Sequence, residues 1–308
     1  MIPVIGHPSI SVIVFVRNAV GTLSRALASV TGPDQPPVEL LVLDGGSTDG
    51  TVEVIRTFEN KIAFWSSHLD GGGVYALNEG VRRASGDIIV LLPADDWFET
   101  GALHIVREAF ASRPDLEVLS CGVRIVHFDK KGLMHEDAVF SNEEALAFTL
   151  KKIIETPLTA ARIVKRRLYL AAGSWNPEYQ ITSDLDFLIK IYFMRPITAV
   201  SSKLVYTYER HAGSQTLSGN PLTVIRMMEG NILMVKRFLQ HELSVSERRV
   251  LIASHGRWSA RLAWMQIMRC ELRMSVRILL SAIRTNWLWP VQVWWWLWAR
   301  IIFPAEHL

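Results

Sequence analysis

The stretch DIIVLLPADDWF, residues 87–98, decides the fold and contains the first candidate site. Its apolar run 88–92 has no polar residue on either face, which is typical of a strand buried on both sides in a parallel sheet. Asp95 and Asp96 follow the strand at once. Adjacent carboxylates repel each other unless hydrogen bonds or a cation such as Mg²⁺ or Mn²⁺ offset the repulsion. A solvated turn followed by a helix cap is the alternative interpretation of this motif taken alone.

The chain before this stretch alternates in the same way between apolar strands and helical spacing. The predicted strands are SVIVFV (11–16), ELLVLD (39–44), IAFWS (62–66) and DIIVLL (87–92), and the predicted helices cover about 21–30, 51–58 and 74–84. This order predicts an α/β fold with a mostly parallel sheet and helices on both faces. In such sheets ligands bind at the carboxyl ends of the strands.

Acidic and glycine-rich segments follow two more of the predicted strands. Asp44 opens DGGSTDGT (44–51), and Asp70 precedes three consecutive glycines. Acidic or glycine-rich residues therefore follow three of the predicted strands, and core packing does not require such residues there. A tight turn with Thr48 or Asp49 capping the next helix is part of the interpretation of the first segment. Neither segment has the G-x-G-x-x-G spacing of a dinucleotide-binding loop.

The chain beyond Asp96 continues with further elements and changes character near residue 220. We predict a helix at about 100–110, a strand pair within EVLSCGVRIVHFD (117–129), an amphipathic helix SDLDFLIKIYF (183–193), and two short strands, ITAV (197–200) and LVYTY (204–208), before ERHAGSQT (209–216). Long helices rich in arginine and methionine follow. We therefore expect a catalytic domain over 1–215 and a helical region over 216–308.

The composition excludes several classes of protein. Of the 308 residues 49% are hydrophobic and 20% charged, which is typical of a globular protein. The net charge of +3, without a basic stripe, argues against a nucleic-acid partner. Cys121 and Cys270 belong to no metal-spaced cluster and predict reduced thiols packed as small apolar side chains. The first apolar run, 10–16, is too short for a signal peptide, so we expect the catalytic part in the cytosol.

Five segments together carry a resemblance to a known family. They are SVIVFVRN, VLDGGSTDGT, the LDGGGVYALNEGVRRASGD block, IIVLLPADDWF and GSWNPEYQITSDLDFLIKIY. Their order and spacing resemble the family 2 glycosyltransferases of the Rossmann-like GT-A fold, in the bacterial polysaccharide branch. The resemblance covers roughly residues 8 to 215. It implies an inverting transfer of a sugar from a nucleotide-sugar donor, UDP-linked by default, with Mn²⁺ or Mg²⁺ as the cofactor.

The resemblance also implies roles for individual residues. Asp44 and Asp70 match positions that line the nucleotide pocket. Asp96 matches the ligand of the divalent ion, and Asp95 matches a contact to the ribose or to the waters of the ion. Asp184 matches the base that takes the proton from the acceptor hydroxyl.

Two further polar residues, His211 and Asp186, lie near the end of the predicted domain. His211 matches a histidine that in some relatives reaches the metal or the diphosphate, and exposure in a polar loop is the alternative. Asp186 lies two residues beyond Asp184, which on a helix turns it about 200° away. We therefore interpret Asp186 as a helix-surface or structural group and not as the base.

The sequence departs from the family pattern at three places. Gly45 follows Asp44 where a second aspartate is frequent, which removes one contact on the uracil side or leaves it to another residue. Pro93 stands where Asp or Asn is common and shortens the metal motif. Val74 and Tyr75 replace a frequent Tyr-Asp pair. These changes bear on the identity of the donor more than on the type of reaction.

The C-terminal third suggests contact with a membrane surface. Residues 257–284 have helical spacing, with Arg269, Arg273, Arg277 and Arg284 in one sector and apolar side chains in another. NWLWPVQVWWWLWARIIFP (286–304) is interrupted by polar residues and scarcely reaches the length of about 20 residues that a span requires. Tryptophan prefers the membrane interface. We expect an in-plane or shallowly inserted anchor on the cytoplasmic face of the inner membrane, and a lipid-linked glycan acceptor.

Three alternatives stay open at this point. The basic helix could instead cover the sheet domain with its arginines in water, and the tryptophan-rich tail could bind protein. A non-catalytic GT-A scaffold that recruits partners through the tail would also fit the shortened metal motif. A polyprenyl-phosphate sugar synthase would share the chemistry, but its phosphate acceptor needs no strong base.

Overall fold

The computed structural model describes residues 7–156, 159–173, 175–179, 181–211, 213, 220–269 and 271–285. The chain divides into two compact units, Met1–Ser214 and Gln215–Leu308. The first unit contains a β-sheet flanked by helices, and the described part of the second unit is helical.

The sheet of the first unit joins nine strands of the described chain. They are β1 (Ile10–Val16), β2 (Glu39–Asp44), β3 (Phe64–Ser67), β4 (Ile88–Pro93), β5 (Trp97–Phe98), β6 (Val118–Phe128), β7 (Met134–Phe140), β8 (Arg162–Lys165) and β9 (Thr198–Glu209). Their order across the sheet is β3-β2-β1-β4-β8-β6-β9-β5, and β7 pairs with β6.

The parallel half of the sheet is the part that the apolar runs predict. β1 pairs in parallel with β2 and β4, and β2 pairs in parallel with β3. Val12 and Ile13, which point to opposite faces of β1, are both fully buried, so helices cover both faces. Phe15 lies opposite Leu43 on one side and Pro93 on the other. The carboxyl ends of these strands therefore form one edge of the sheet, called the carboxyl edge below.

The mixed half of the sheet brings later segments to the same edge. β8 runs antiparallel to β4, with Ile88 opposite Lys165, so Arg162 at the start of β8 lies toward the carboxyl end of β4. β6 is antiparallel to β8, and β9 is parallel to β6. β9 therefore runs in the direction of β4, and its last residues reach the carboxyl edge.

The two short strands expected at 197–200 and 204–208 are in fact one strand, β9, and the strand pair expected within 117–129 is one strand, β6. The pairing of β9 with β6 shifts register at Gly122, so the polar residues between the two strands expected at 197–208 form a bulge and do not end the strand. A Cβ atom on Gly122 would lie 2.8 Å from the carbonyl oxygen of Lys203, so the bulge needs glycine there.

Eight helices are described in the first unit. They are α1 (Leu23–Thr31), α2 (Thr51–Thr57), α3 (Gly73–Arg83), α4 (Ala102–Ser112), α5 (Glu143–Leu146), α6 (Leu150–Glu155), α7 (Arg166–Ala172) and α8 (Ser183–Phe193). Leu27 of α1 and Leu103 of α4 join the β1, β2 and β4 side chains in the main hydrophobic core. α3 approaches β1 so closely that a Cβ atom on Gly80 would lie 2.5 Å from Ile13 Cγ2.

Three helices form the described part of the second unit: α9 (Pro221–Phe238), α10 (Val245–Met268) and α11 (Leu272–Thr285). Ser244 and Glu247 form a reciprocal capping box at the start of α10. Ile225 and Met228 of α9 pack with Leu262 of α10 in a small apolar cluster. The long helices expected beyond residue 220 are therefore present.

The expectation of one continuous helix over 257–284 is wrong, because the helix breaks between α10 and α11. The hydroxyl of Ser275 in α11 donates to the carbonyl oxygen of Ala263 in α10 at 3.1 Å, so α11 lies against α10. The break separates Arg269 from the three arginines of α11. No helix in the described part of the chain is long and apolar enough to cross a membrane. The tryptophan-rich segment 286–304 lies outside the described residues, as does Cys270.

Candidate functional site

The carboxylate of Asp44 is buried at the end of β2 and holds its own loop. Asp44 is 1% exposed. It accepts hydrogen bonds from the Ser47 backbone N–H at 3.0 Å, from the Ser47 hydroxyl, and from the Ser67 hydroxyl at 2.5 Å. These donors give both carboxylate oxygens a hydrogen-bond partner and fix the DGGSTDGT turn at the carboxyl edge. The nucleotide contact expected of Asp44 stays a prediction.

The loop after β2 is tied to the loop after β1. Asn18 Oδ1 accepts from the Thr48 N–H at 2.9 Å, and Asp49 Oδ2 accepts from the Val20 N–H at 3.1 Å. Asp49 Oδ1 also accepts from the Thr51 hydroxyl at 2.6 Å, and these bonds hold the pKa of Asp49 below its usual range. The N-cap residue of α2 is Gly50, so the expected cap at Thr48 or Asp49 is wrong. Asp49 instead accepts from the Thr51 N–H at 3.1 Å and joins two loops of the carboxyl edge.

Asp70 lies directly over Gly45. Asp70 Oδ1 accepts from the Gly72 N–H at 2.8 Å. A Cβ atom on Gly45 would lie 3.3 Å from that oxygen and 3.5 Å from Cδ of Arg17. An aspartate at position 45 would therefore crowd Asp70 and repel it. The carboxylate of Asp70 takes up the space next to the residue that departs from the family pattern.

The two carboxylates at the end of β4 have different surroundings, and Asp96 is the buried one. It is 1% exposed. Its Oδ1 accepts from the Glu209 N–H at 2.9 Å, and its Oδ2 accepts from the Tyr206 hydroxyl. Burial, followed by the charges of Asp95 and Glu209, raises the pKa of Asp96 well above its usual range against these two hydrogen bonds. The contacts tie the turn after β4 to the end of β9.

Asp95 is the accessible member of the pair. Its side chain is 31% exposed, and its Oδ2 lies 3.0 Å from His211 Nε2. His211 Nδ1 accepts from the Gly213 N–H at 3.1 Å, so in this arrangement Nε2 carries the ring proton and donates it to Asp95. The structure thus brings together two residues that the sequence placed 116 positions apart. Their roles toward an ion stay predictions.

Arg25 of α1 contacts both the turn that contains Asp95 and the end of β9. Its guanidinium forms an ion pair with Glu209 and donates to the backbone oxygen of Asp95 at 3.2 Å. It also lies 3.9 Å from the centre of the Trp97 ring, a cation–π contact. One cation therefore joins α1, the turn after β4 and the end of β9.

Asp184 is a half-buried residue in the first turn of α8. Its Oδ1 accepts from the Leu185 N–H at 2.7 Å, and its Oδ2 accepts from the Thr159 hydroxyl at 3.0 Å. Burial raises the pKa of Asp184 above its usual range, against these hydrogen bonds and the charge of Arg162. Because Thr159 lies just before β8, the contact places Asp184 at the carboxyl edge. A carboxylate with a raised pKa has the proton affinity that a general base needs.

Arg162 is the buried cation near Asp184. It is 3% exposed and donates to the carbonyl oxygen of Thr156 at 3.3 Å. Burial lowers its pKa to about 10, and the charge of Asp184 acts in the opposite direction. Arg162 therefore stays protonated at neutral pH and favours the ionised form of Asp184.

α8 is held in place by aromatic packing and by one polar side chain of α3. The Phe187 ring stacks on Tyr169 with centroids 4.5 Å apart and on Trp175 with centroids 5.4 Å apart. The Asn78 side chain exchanges hydrogen bonds of 2.8 and 2.9 Å with the Trp175 backbone. Asp186 is fully buried and lies 2.7 Å from Lys190, so a position on the helix surface is wrong and the structural interpretation fits.

Sequence reasoning missed the residues that hold the predicted ones in place. They are Arg25, Thr159, Arg162, Tyr206 and Glu209, described above. Each lies far along the chain from the aspartate that it serves, so no local spacing marks it. Cys121 is fully buried, as expected of a thiol packed as an apolar group, and burial raises its pKa to about 12.

The comparison with protein families agrees with this architecture. The model of glycosyl transferase family 2 matches residues 11–172, more than half of the chain. The chain belongs to glycosyl transferase family 2. The matched range includes Asp44, Asp70, Asp95 and Asp96, whereas Asp184 lies beyond its end. The family shows that the protein is a glycosyltransferase, as the five sequence segments indicate.

Two curated proteins are similar to this chain in sequence. An uncharacterized glycosyltransferase of Mycobacterium tuberculosis is 37% identical over 199 residues, which cover 62% of this chain and 72% of that protein. A poly-β-1,6-N-acetyl-D-glucosamine synthase of Staphylococcus epidermidis is 30% identical over 118 residues. That match covers 38% of this chain and 29% of the synthase, so it concerns only part of the larger enzyme.

Two solved structures show that the fold is GT-A-like. Residues 1–349 of TarS from S. aureus, in complex with UDP-GlcNAc, superpose with a TM-score of 0.65 at 17% identity, covering 90% of this chain and 89% of that one. The mannosyltransferase PcManGT from Pyrobaculum calidifontis, in complex with GDP-Man and Mn²⁺, gives a TM-score of 0.59 at 18% identity, covering 90% and 75%. The predicted α/β fold with flanking helices is thereby confirmed. The expectation of a mostly parallel sheet is wrong, because β5, β7 and β8 pair antiparallel to their neighbours and make the sheet mixed.

Proposed function

We propose that this glycosyltransferase moves a sugar from a nucleoside-diphosphate sugar to a hydroxyl group, with inversion at the anomeric carbon. The observation that carries the proposal is Asp184, whose carboxylate has a raised pKa and lies at the same sheet edge as the accessible Asp95. The bound UDP-GlcNAc and GDP-Man of the two similar structures support this class of donor. UDP is our first choice because it is the common donor of the resembling branch.

The residues present fit a divalent cation at Asp95. Its side chain is 31% exposed and His211 lies 3.0 Å away, which offers one oxygen and one nitrogen ligand suited to Mn²⁺. Among the described residues, no three acidic, cysteine or histidine side chains form a complete metal site. A site that relies on substrate phosphates and waters needs fewer protein ligands. When bound, the ion would neutralise the leaving diphosphate.

The contacts favour Asp95 as the ligand of the ion, whereas the sequence resemblance implies that Asp96 has this role. Asp96 uses both oxygens on Tyr206 and Glu209, whereas Asp95 faces solvent. We therefore assign the ion to Asp95 and a structural role to Asp96. For His211 to bind the ion through Nε2, its ring proton must move to Nδ1, and the bond from the Gly213 N–H must be given up.

Asp184 performs the proton transfer of the proposed reaction. Its carboxylate accepts the proton of the acceptor hydroxyl while the hydroxyl oxygen forms a bond to the anomeric carbon. The bond from that carbon to the diphosphate oxygen breaks, and its electron pair leaves with the nucleoside diphosphate. Attack opposite the leaving group inverts the configuration, so an α-linked donor gives a β-linked product. The bonds from Leu185 and Thr159 keep Asp184 in one orientation for this step.

A donor screen tests the proposed activity. The full-length protein is incubated with UDP- and GDP-sugars, Mn²⁺ and a membrane lipid extract, and release of free nucleoside diphosphate is measured. We expect turnover with a UDP-sugar that depends on the extract and stops on addition of EDTA. Turnover in EDTA would remove the ion from the proposal. If no donor turns over and calorimetry detects no binding of UDP with Mn²⁺, the protein is a binding scaffold on this fold.

The second unit offers a surface that suits an anionic membrane. On α11, Leu272, Val276, Leu280 and Ile283 are between 38% and 62% exposed and form one stripe at helical spacing. Arg273, Arg277 and Arg284 lie in the adjacent sector. An apolar stripe bordered by cations is the pattern of a helix that lies in a bilayer interface. We propose that this face binds the cytoplasmic leaflet of the inner membrane, where a lipid-linked glycan acceptor would be within reach.

Binding to lipid vesicles tests this surface in the full-length protein. The double variant Val276→Glu/Leu280→Glu should bind vesicles of phosphatidylglycerol and phosphatidylcholine at least about tenfold more weakly, because it exchanges apolar contacts for charges of the membrane's own sign. The matched control is Leu222→Glu/Leu233→Glu on α9, which changes two residues that are 52% and 58% exposed. Equal binding of both variants would contradict the assignment to α11.

A further inference from the structure

Three consecutive residues at the end of β9 are each held by a different part of the first unit. The Glu209 N–H donates to Asp96, Arg210 contacts the hairpin of β6 and β7, and the His211 ring faces Asp95. Arg210 thus lies between Glu209, which holds Asp96, and His211, which faces Asp95. Neither the sequence nor the proposed reaction assigns it a role.

The hairpin that contacts Arg210 is itself fixed by a chain of polar side chains. Asp129 closes its turn by accepting from the backbone N–H groups of Lys131 and Leu133 at 2.8 and 2.9 Å, and it holds His135 at 3.2 Å. The His135 ring stacks on His127, directly opposite across the strands, with centroids 5.2 Å apart. The hairpin is therefore a firm support for what it contacts.

Asp137 links this support to Arg210. Its Oδ1 lies 2.8 Å from His127 Nδ1, and its Oδ2 lies 2.9 Å from Arg210 Nη2. The Arg210 backbone N–H also donates to the Val126 carbonyl oxygen at 2.7 Å. Arg210 is therefore fixed at both its backbone and its guanidinium, and the direction in which the next residue leaves β9 is set by these contacts.

We propose that Asp137 and Arg210 are positioning residues that hold His211 against Asp95 and thereby raise the affinity of the site for the divalent cation. The inference rests on the proposed function, because it assumes that Asp95 and His211 hold the ion. Asp137 acts through Arg210 and the short backbone segment to His211. Its loss therefore changes the orientation of the His211 ring but removes no ligand of the ion. Outer contacts of this kind typically change metal affinity by about tenfold or more when they are lost.

Direct binding of Mn²⁺ tests the proposal. Free Mn²⁺ is measured by electron paramagnetic resonance as the full-length protein is titrated in the presence of UDP. Asp137→Asn and Arg210→Gln should each raise the dissociation constant of Mn²⁺ about tenfold. The double variant should be no weaker than either single variant, because both remove the same contact. Turnover at saturating Mn²⁺ should change by less than about twofold, which a general loss of structure would not allow.

Glu136→Gln is the matched control, because it removes a carboxylate from the same strand that pairs with Arg124 instead. It should leave Mn²⁺ binding unchanged. If Asp137→Asn and Arg210→Gln bind Mn²⁺ as tightly as the unchanged protein, the positioning role is overturned while the proposed function stands. If the unchanged protein itself binds no Mn²⁺ with UDP, the ion site and the positioning role fail together. Equal weakening in Glu136→Gln would also overturn the specific role of Asp137.

Discussion

Asp184→Asn is expected to lower kcat by about a thousandfold while the protein stays folded and binds its donor normally. The asparagine has nearly the same shape and can still accept from the Leu185 N–H through its oxygen. The Thr159 hydroxyl can turn and accept from the new amide. What the variant lacks is a group that takes the proton from the acceptor hydroxyl. The loss should therefore appear in kcat and leave the dissociation constant of UDP within about twofold.

Asp186→Asn is the control for this prediction, because it changes the other aspartate of the same helical turn. Asp186 is buried against Lys190, so its replacement should lower the melting temperature and leave kcat nearly unchanged. Full activity of Asp184→Asn toward a hydroxyl acceptor would remove Asp184 as the base. Full activity toward a polyprenyl phosphate alone would indicate a polyprenyl-phosphate sugar synthase, whose acceptor is already ionised.

The pH profile gives a second readout of the same carboxylate. A base must be ionised, so kcat/KM should rise as the pH rises through the pKa of Asp184. Because burial raises that pKa, the acid limb should lie above the range of an ordinary aspartate. The Arg162 cation opposes this shift and limits how far the limb moves. Initial rates at saturating Mn²⁺ over a series of buffers of constant ionic strength would locate the limb.

The parallel half of the sheet could be predicted from the sequence because its signal is local. Each apolar run such as 88–92 is long enough to be a strand, and the residue after it marks the carboxyl edge. The bulge in β9 and the break before α11 could not be predicted in this way. The first depends on the register between β9 and β6, and the second on the packing of α11 against α10. Both are set by partners that the local pattern does not contain.

The positions of the site residues were predictable, but their orientations were not. Asp95 and Asp96 are neighbours with the same side chain, and nothing in PADDWF says which one faces the core. The choice depends on Tyr206 and Glu209, more than a hundred residues later, which supply two donors to one carboxylate only. In the same way Thr159 orients Asp184 from another element. Contacts between distant segments decide what each aspartate can do.

The different surroundings of Asp95 and Asp96 lead to opposite expectations for the same substitution. Asp95→Asn should lower kcat/KM at least about a hundredfold and weaken Mn²⁺ binding, because an amide oxygen is a poorer ligand for a hard cation than a carboxylate. Asp96→Asn should retain activity within about tenfold. Its amide oxygen can accept from the Glu209 N–H, and its NH₂ group can donate to the Tyr206 oxygen.

The pKa of Asp96 explains why the asparagine is tolerated there. A carboxyl group whose pKa in the folded protein is raised above its unfolded value destabilises the fold once the pH exceeds the unfolded value. Asparagine carries no charge to bury and avoids this cost. Asp96→Ala behaves differently, because it leaves the Tyr206 hydroxyl and the Glu209 N–H without their partner, at a cost of about 3 kcal/mol in the free energy of unfolding.

Urea unfolding and Mn²⁺ binding of the three variants separate these effects. We expect Asp96→Ala to be the least stable, Asp96→Asn to be close to the unchanged protein in both measurements, and Asp95→Asn to be stable but deficient in Mn²⁺ binding. An inactive, well-folded Asp96→Asn beside an active Asp95→Asn would instead return the ion to Asp96, as the family motif implies. In that case Asp96 would have to release Tyr206 and Glu209 when the donor binds, and the end of β9 with His211 would have to move with it.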